Sequence, residues 1–370
     1  MIKINIIDQG FVYKNPKPYL RSANGYFPSV VECDSGGLVA SVVMGEAFEA
    51  VNLHCELFRS KDKGITWDYQ GCLYEYDEKT PVSSACRISK SNSGELVAFI
   101  VQHDRTLTDQ GLTNPENMGF VPVKLLMSFS NDNGYTWTKP TAFKTPLTGP
   151  EFEICSPVTF LHNKCLLPTS TWRGWDGYCP EGMKMVAFVS YDQGRTWPEY
   201  VDVMDKSKES IIFWESKIIK IQDDLLLATA WCYDEKTGSD LENSYAVSKD
   251  GGVSFENLAS TGLKGQTLTP LYIGDGKILC AYRRIDKKGL WLNISTLENG
   301  SWINMEEIPL WGTDMDKLTE HGKNMSSNFK SLKFGAPHML MCSDNSIFLT
   351  FWCVEDGSGM IRYIKFICEN

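Results

Sequence analysis

Some residues able to do chemistry recur along the chain, and others do not. The recurring ones are aspartates in an octet, "SYDQGRTW" at 190–197, which returns as "SKDKGITW" at 60–67, "SNDNGYTW" at 130–137 and "SKDGGVSF" at 248–255. A degenerate copy, "STLENGSW", fills 295–302. A carboxylate can act as acid, base or nucleophile, but an enzyme needs one centre rather than four. Asp62, Asp132, Asp192 and Asp250 are therefore expected to shape turns. An aspartate accepts backbone N–H bonds a few residues on, and the glycine takes the positive φ of a hairpin. Among the residues that do not recur, "MGEAFEAVNLHCE" (44–56) offers Glu46 and Glu49, and "PEFEICSP" (150–157) offers Glu153. Cleaving a glycosidic bond takes two facing carboxylates, one of them protonated. The segment "TSTWRGWDGYCPEG" (169–182) places Trp172, Arg173, Trp175 and Asp176 together. Flat rings stack on the C–H faces of a sugar and polar groups read its hydroxyls; packing between sheets is the competing explanation. Arg87, in "ACRIS", is a charge within an apolar run and should point away from a core. His103, Asp104 and Arg105 lie on the following loop, and His338, in "FGAPHML", could act as a base or bind a hydroxyl.

The composition narrows the choices. A net charge of −10 over 370 residues, with no basic run, argues against nucleic acid and anionic membranes as partners. "MIKINIIDQGFVYKN" lacks the apolar stretch of a secretory signal, and no apolar run approaches the ~18 residues of a membrane span. The twelve cysteines are scattered through apolar runs without a CxxC spacing. They are expected to be buried, reduced thiols of a cytoplasmic protein, with no zinc site, metal or other cofactor.

The elements that must position these residues are strands. Six stretches read as apolar strand, short polar turn, apolar strand: 26–44, 85–101, 155–170, 214–231, 266–284 and 335–353. Hairpins bearing the octet alternate with them, so a unit of four strands repeats six times; the last one ends at "MIRYIKFIC". This pattern predicts an all-β, six-bladed β-propeller forming a single domain over 1–370. The long stretch at 107–124 is expected to be a loop over one face, and 311–334 a second, with a short helix at "DMDKLTEHG" (314–322).

The octet resembles the Asp-box (BNR repeat) of the sialidase superfamily, and the sixfold unit is similar to its six-bladed propeller, over nearly the whole chain. The resemblance implies that the boxes lie opposite the active face and do no chemistry. It also implies a glycosidase active site of three arginines, a tyrosine nucleophile and acidic residues. In "YFP", Tyr26 stands where the first arginine is expected, with Arg21 the nearest guanidinium. "WESKIIKI" matches the fourth-blade glutamate and assigns it to Glu215; Trp231 replaces the arginine that follows. "KGQTLTP" places Gln266 in the fifth-blade pattern, and Arg283 or Arg284 supplies the third arginine, with Arg284 preferred. At the nucleophile position stands Pro337 or His338 rather than tyrosine. Three arginines would clamp a sialic-acid carboxylate, and that set is incomplete.

The resulting expectation is a sialidase-like glycoside hydrolase acting on a glycan or oligosaccharide, acidic sugars included. Glu49, Glu215 and His338 are its catalytic candidates. Arg21, Arg87, Trp172, Arg173, Trp175, Asp176, Trp231, Gln266 and Arg284 are its binding candidates. A non-catalytic carbohydrate-binding propeller is the alternative. So is a polysaccharide lyase with His338 or Tyr26 as base beside a neutralised uronate.

Overall fold

The computed structural model describes residues 2–75, 79–314 and 331–369. Most of the expected helix at 314–322 lies outside them. Strand β1 (Lys3–Tyr13) opens the chain. The first sheet follows as β2 (Asn24–Glu32), β3 (Leu38–Gly45), β4 (His54–Ser60) and β5 (Asp68–Cys72). The second is β6 (Val82–Lys90), β7 (Leu96–Asp104), β8 (Val123–Ser130) and β9 (Thr141–Ala142). In the third, a split first strand, β10 (Glu151–Phe152) and β11 (Thr159–Phe160), precedes β12 (Cys165–Trp172), β13 (Met185–Ser190) and β14 (Glu199–Met204). The fourth holds β15 (Ile211–Lys220), β16 (Leu226–Asp234), β18 (Ser244–Ser248) and β19 (Glu256–Ser260), with the short β17 (Ser239–Asp240) folded back on β16. The fifth is β20 (Gly265–Gly274), β21 (Lys277–Arg284), β22 (Leu290–Glu298) and β23 (Ser301–Trp311). The sixth is β24 (Phe334–Met341), β25 (Ile347–Glu355) and β26 (Ser358–Glu369), completed by β1. This is the expected six-bladed β-propeller. Among the described residues, no helix is long and apolar enough to cross a membrane.

The sixth sheet shows where the missing fourth strand comes from. β1 pairs antiparallel with β26 from Lys3↔Glu369 to Tyr13↔Ile361, so the two ends of the sequence close one blade. An otherwise open outer edge is thereby covered.

The strands divide into two compact units. One comprises Met1–Thr108, Leu126–Thr141 and Phe334–Asn370; the other comprises Asp109–Leu125 and Ala142–Lys333. Alternating residues of neighbouring sheets fill their cores. In the first unit Val31, Val39 and Leu57 meet Ile88, Leu96 and Ala98. In the second, Leu166, Met185 and Ala187 meet Phe213, Ile218 and Leu226.

Each full octet joins the third and fourth strands of a blade, and its hydrogen bonds explain its composition. Asp192 accepts from Ser190 Oγ at 2.8 Å, Thr196 N at 2.8 Å and Thr196 Oγ1 at 2.6 Å. Ser190 Oγ accepts in turn from Gly194 N at 2.8 Å. The same bonds form around Asp62, Asp132 and Asp250. Two consecutive residues are left-handed, the glycine and the one before it: Gln193 (φ 61°) and Gly194 (φ 86°) are one such pair. The glycine also allows close approach. A Cβ on Gly64 would sit 2.3 Å from Phe348 Cε2, and one on Gly252 2.7 Å from Leu166 Cδ1. The degenerate copy at 295–302 forms a different turn. There β22 and β23 stay paired down to Glu298↔Ser301 around Asn299 (φ 52°) and Gly300 (φ 81°). Asn-Gly is the preferred pair for such a two-residue hairpin.

Candidate active site

Four of the six first strands carry the same irregularity. β2, β15, β20 and β24 each skip register over two residues, after Tyr26, Trp214, Gln266 and Gly335. The first residue of each bulge is left-handed without being glycine: Phe27 (φ 48°), Glu215 (φ 53°), Thr267 (φ 56°) and Ala336 (φ 46°). Such a conformation costs about 1–3 kcal/mol and persists where the surroundings enforce it, commonly at functional sites. A bulge also redirects a side chain from the regular alternation. In the third blade the first strand is interrupted instead, and Glu153 begins the break between β10 and β11.

Glu153 and Glu215 meet at these irregular points. The backbone of Glu153 is held by Ser170 O at 3.1 Å and by Thr169 Oγ1 at 2.7 Å. Its Oε2 accepts from the Glu215 N–H at 3.0 Å and from Cys155 Sγ at 3.0 Å. Ser216, beside Glu215, hydrogen-bonds Ser170 at 2.7 Å. The Glu215 carboxylate pairs with Lys217 at 3.3 Å, and Lys217 also donates to Cys155 O. Burial pushes the Glu153 carboxyl up to about 7, and the charge of Glu215 adds to the rise; the Cys155 thiol, the Glu215 N–H and Lys217 oppose it. Burial likewise pushes the Cys155 thiol well up.

A second network lies against the first. Arg283, at the end of β21, donates through Nε and Nη2 to Gln266 Oε1 at 2.9 and 2.6 Å. Gln266 donates to Asp240 Oδ2 at 2.6 Å, and Trp231 Nε1 donates to Asp240 Oδ1 at 2.7 Å. Burial pushes the Arg283 guanidinium down to about 10, opposed by the charges of Glu215 and Asp240. Trp231 also belongs to an aromatic cluster. Trp214 stacks on Trp172 at 5.3 Å and on Tyr233 at 5.0 Å, and meets the edge of Trp231 at 5.2 Å. Such ring pairs add about 0.5–1.5 kcal/mol each beyond area burial, and Trp214 is the residue next to Glu215 in the chain.

Several predicted residues therefore come together: Glu153, Glu215, Trp172, Trp231 and Gln266, with Arg283 as the arginine of the cluster. Arg284 points to the other side of β21, where it pairs with Asp286 and Glu307 and covers the Trp291 ring. Arg173 pairs with Glu235 and also donates to Asn117 O at 3.2 Å. The Trp175 carbonyl accepts from Asn114 and Asn117, and the exposed Asp176 caps its own turn through Tyr178 N.

The remaining candidates belong to the first unit. Glu49 is half-buried, and its carbonyl accepts from Arg105 at 2.9 Å. Arg87 is buried in the unbroken strand β6, donating to Cys86 O at 3.0 Å, with its guanidinium over Phe27. His338 Nδ1 accepts from Val30 N at 3.3 Å, and Arg21 is exposed. Burial holds the His103 imidazole down at about 4 and the Tyr26 phenol up at about 12. Sequence reasoning missed Lys217, Cys155 and Asp240. Lys217 follows Glu215 by two residues, a spacing that could have flagged it. Asp240 sits in the charged loop "DEKTGSDLE", where nothing distinguishes it from a solvated residue.

No protein-family model and no curated protein matches the sequence. Solved structures do match. A protein of unknown function from Dyadobacter fermentans aligns with a TM-score of 0.72 at 17% identity, over 99% of both chains. An alpha-L-arabinanase from Penicillium chrysogenum, complexed with arabinobiose, aligns with a TM-score of 0.67 at 15% identity, over 98% of both chains. The sialidase of Trypanosoma rangeli, complexed with sialic acid, aligns with a TM-score of 0.63 at 14% identity. The fold is the sialidase-like β-propeller. At these identities the likeness is one of fold. The sialidase-like propeller here covers 92% of its own length but only 54% of the Trypanosoma chain.

Proposed function

We propose that the protein is a glycoside hydrolase acting on a glycan or oligosaccharide, with Glu153 as acid/base and Glu215 as nucleophile. The observation that carries this reading is the pair itself: the Glu153 carboxyl accepts from the Glu215 N–H of the neighbouring blade at 3.0 Å, burial raises it to about 7, and the Glu215 carboxylate is salt-bridged to Lys217. A carboxyl raised by burial suits a proton donor, and a carboxylate paired with a lysine suits a nucleophile. The mechanism adopted is the retaining one, whose carboxyl groups lie about 5–5.5 Å apart, because the Glu153 carboxyl already contacts the Glu215 backbone. Glu153 would protonate the glycosidic oxygen as Glu215 attacks the anomeric carbon, releasing the alcohol and leaving a glycosyl ester. Water then attacks that ester, giving its proton to Glu153 and freeing Glu215. Arg283 and Lys217 would stabilise the Glu215 carboxylate, and the tryptophan stack would hold the site rigid. The repeated octets fit the Asp-box role of turn-forming elements. The arabinanase and sialidase neighbours agree with a glycan substrate.

The test is a glycoside panel containing arabinosides, sialosides and uronides, assayed with the parent, Glu153→Gln and Glu215→Gln. Glu215→Gln is expected to lose at least ~10³-fold in kcat/KM. Glu153→Gln should lose ~10²–10⁴-fold on poor leaving groups and much less on activated ones. Parent-like turnover by Glu215→Gln on any substrate, or by Glu153→Gln on poor leaving groups, would overturn the assignment.

A further inference from the structure

In the first unit, strands β4 and β5 bring together three side chains of a different chemistry. His54 and Glu56 are two residues apart on β4 and so share a face. Cys72, the last residue of β5, is the direct cross-strand partner of Glu56. Directly opposed residues place their Cβ atoms about 4.5–5.5 Å apart on that same face. A register shift at Gln70, after the left-handed Gly71 (φ 99°) in the reverse direction, sets this alignment. An imidazole nitrogen, a carboxylate oxygen and a thiol sulfur consequently lie within 4.8 Å of one another.

We propose that His54, Glu56 and Cys72 form a binding site for a divalent, zinc-type cation, closed by one water. The donor set is nitrogen, oxygen and sulfur, which suits zinc rather than the oxygen-seeking calcium or magnesium. The imidazole is pre-oriented for it. Its Nδ1 lies 2.9 Å from the Asn52 carbonyl, which fixes the ring as a second-layer partner does around metal-bound histidines. That leaves Nε2 facing Glu56 Oε1 at 2.8 Å. Both ring nitrogens thus face oxygen atoms, and the Nε2–Glu56 contact is bridged by a hydrogen that a metal ion can replace. Zinc bonds of about 2.0–2.3 Å put tetrahedral donors roughly 3.3–3.8 Å apart, so the His54–Glu56 contact opens slightly while Cys72 moves in. His54 and Glu56 are mostly buried, at 16% and 15% side-chain exposure, and Cys72 is exposed, so solvent reaches the open position. Binding displaces the thiol proton, and any Nε2 proton, into solvent. This spacing escapes a search for paired cysteines, because the hairpin rather than the sequence brings the ligands together.

The test uses the full chain, stripped with a chelator and titrated with zinc against a chromophoric competitor. Cobalt(II) is added separately to report a thiolate-to-metal band in the near ultraviolet. One equivalent of zinc is expected, weakened at least tenfold by Cys72→Ser and by His54→Ala. The cobalt band should be present in the parent and absent from Cys72→Ser. Because Cys72 is exposed, its serine variant folds even if His54→Ala does not. Failure to bind one equivalent, or binding and a band unchanged in Cys72→Ser, would overturn the site. Neither readout depends on glycosidase activity.

Discussion

In the proposed mechanism, Glu153 would set both activity and stability against pH. Its folded pKa of about 7 stands above the ordinary 4.5 because burial and the Glu215 charge disfavour ionisation. The sign follows directly. A carboxyl raised in the folded state contributes stability fully below about 4.5, and that contribution is lost as pH rises through about 7. The thermal midpoint of the parent should therefore fall between pH 5 and 8 relative to Glu153→Gln, whose amide does not titrate; parallel curves would show that Glu153 is not perturbed. In its proposed role as proton donor, the same group should give kcat/KM a basic limb near pH 7. That limb should be absent from Glu153→Gln on activated substrates. Sequence reasoning noticed Glu153 only as a third carboxylate, because its partner lies sixty-two residues on and its burial has no local signature.

At the scale of elements, the octet and the bulge divide the labour between the two ends of a blade. The octet is locally determined: aspartate, serine, threonine and glycine satisfy one another within eight residues, so its turn was legible in the sequence. Replacing Asp132 by Ala should cost about 1–2 kcal/mol in urea unfolding, since several donors lose their acceptor. Gly64→Ala should cost more, because a left-handed backbone and the Phe348 ring both oppose a Cβ. Equal midpoints for Gly64→Ala and the parent would refute that account. The same carboxylates are pulled down, to about 2 at Asp62, Asp132 and Asp250, chiefly by hydrogen bonds from Thr66 and Thr136 in the first two. Stability from these turns is thus present above pH 3.8 and lost as pH falls toward 2. The bulges were not legible. A register skip depends on the partner strand, and "WESK" reads equally well as a regular strand.

At the scale of the whole molecule, the pairing of β1 with β26 ties the beginning of the sequence to its end. Deleting residues 2–13 should expose the full length of β26 as an unpaired edge. The truncated chain is expected to unfold at a midpoint at least 10 °C lower and to aggregate on heating. Unchanged melting and light scattering would show that the sixth blade stands without its fourth strand.

The sequence by itself determined the repeat, the all-β class, the number of blades and the octet turns. Each rests on periodicity or on hydrogen bonds between residues close together in the chain. It also nominated Glu215, Gln266 and the tryptophans. Only the tertiary structure decided which carboxylate faces Glu215, that Arg283 rather than Arg284 joins Gln266, and that β1 completes the last blade. It also brought Cys72 to His54 and Glu56. These are contacts between strands distant in sequence, and alternation decides side-chain direction only once register is fixed; a two-residue bulge resets that register without altering the local pattern of apolar and polar residues.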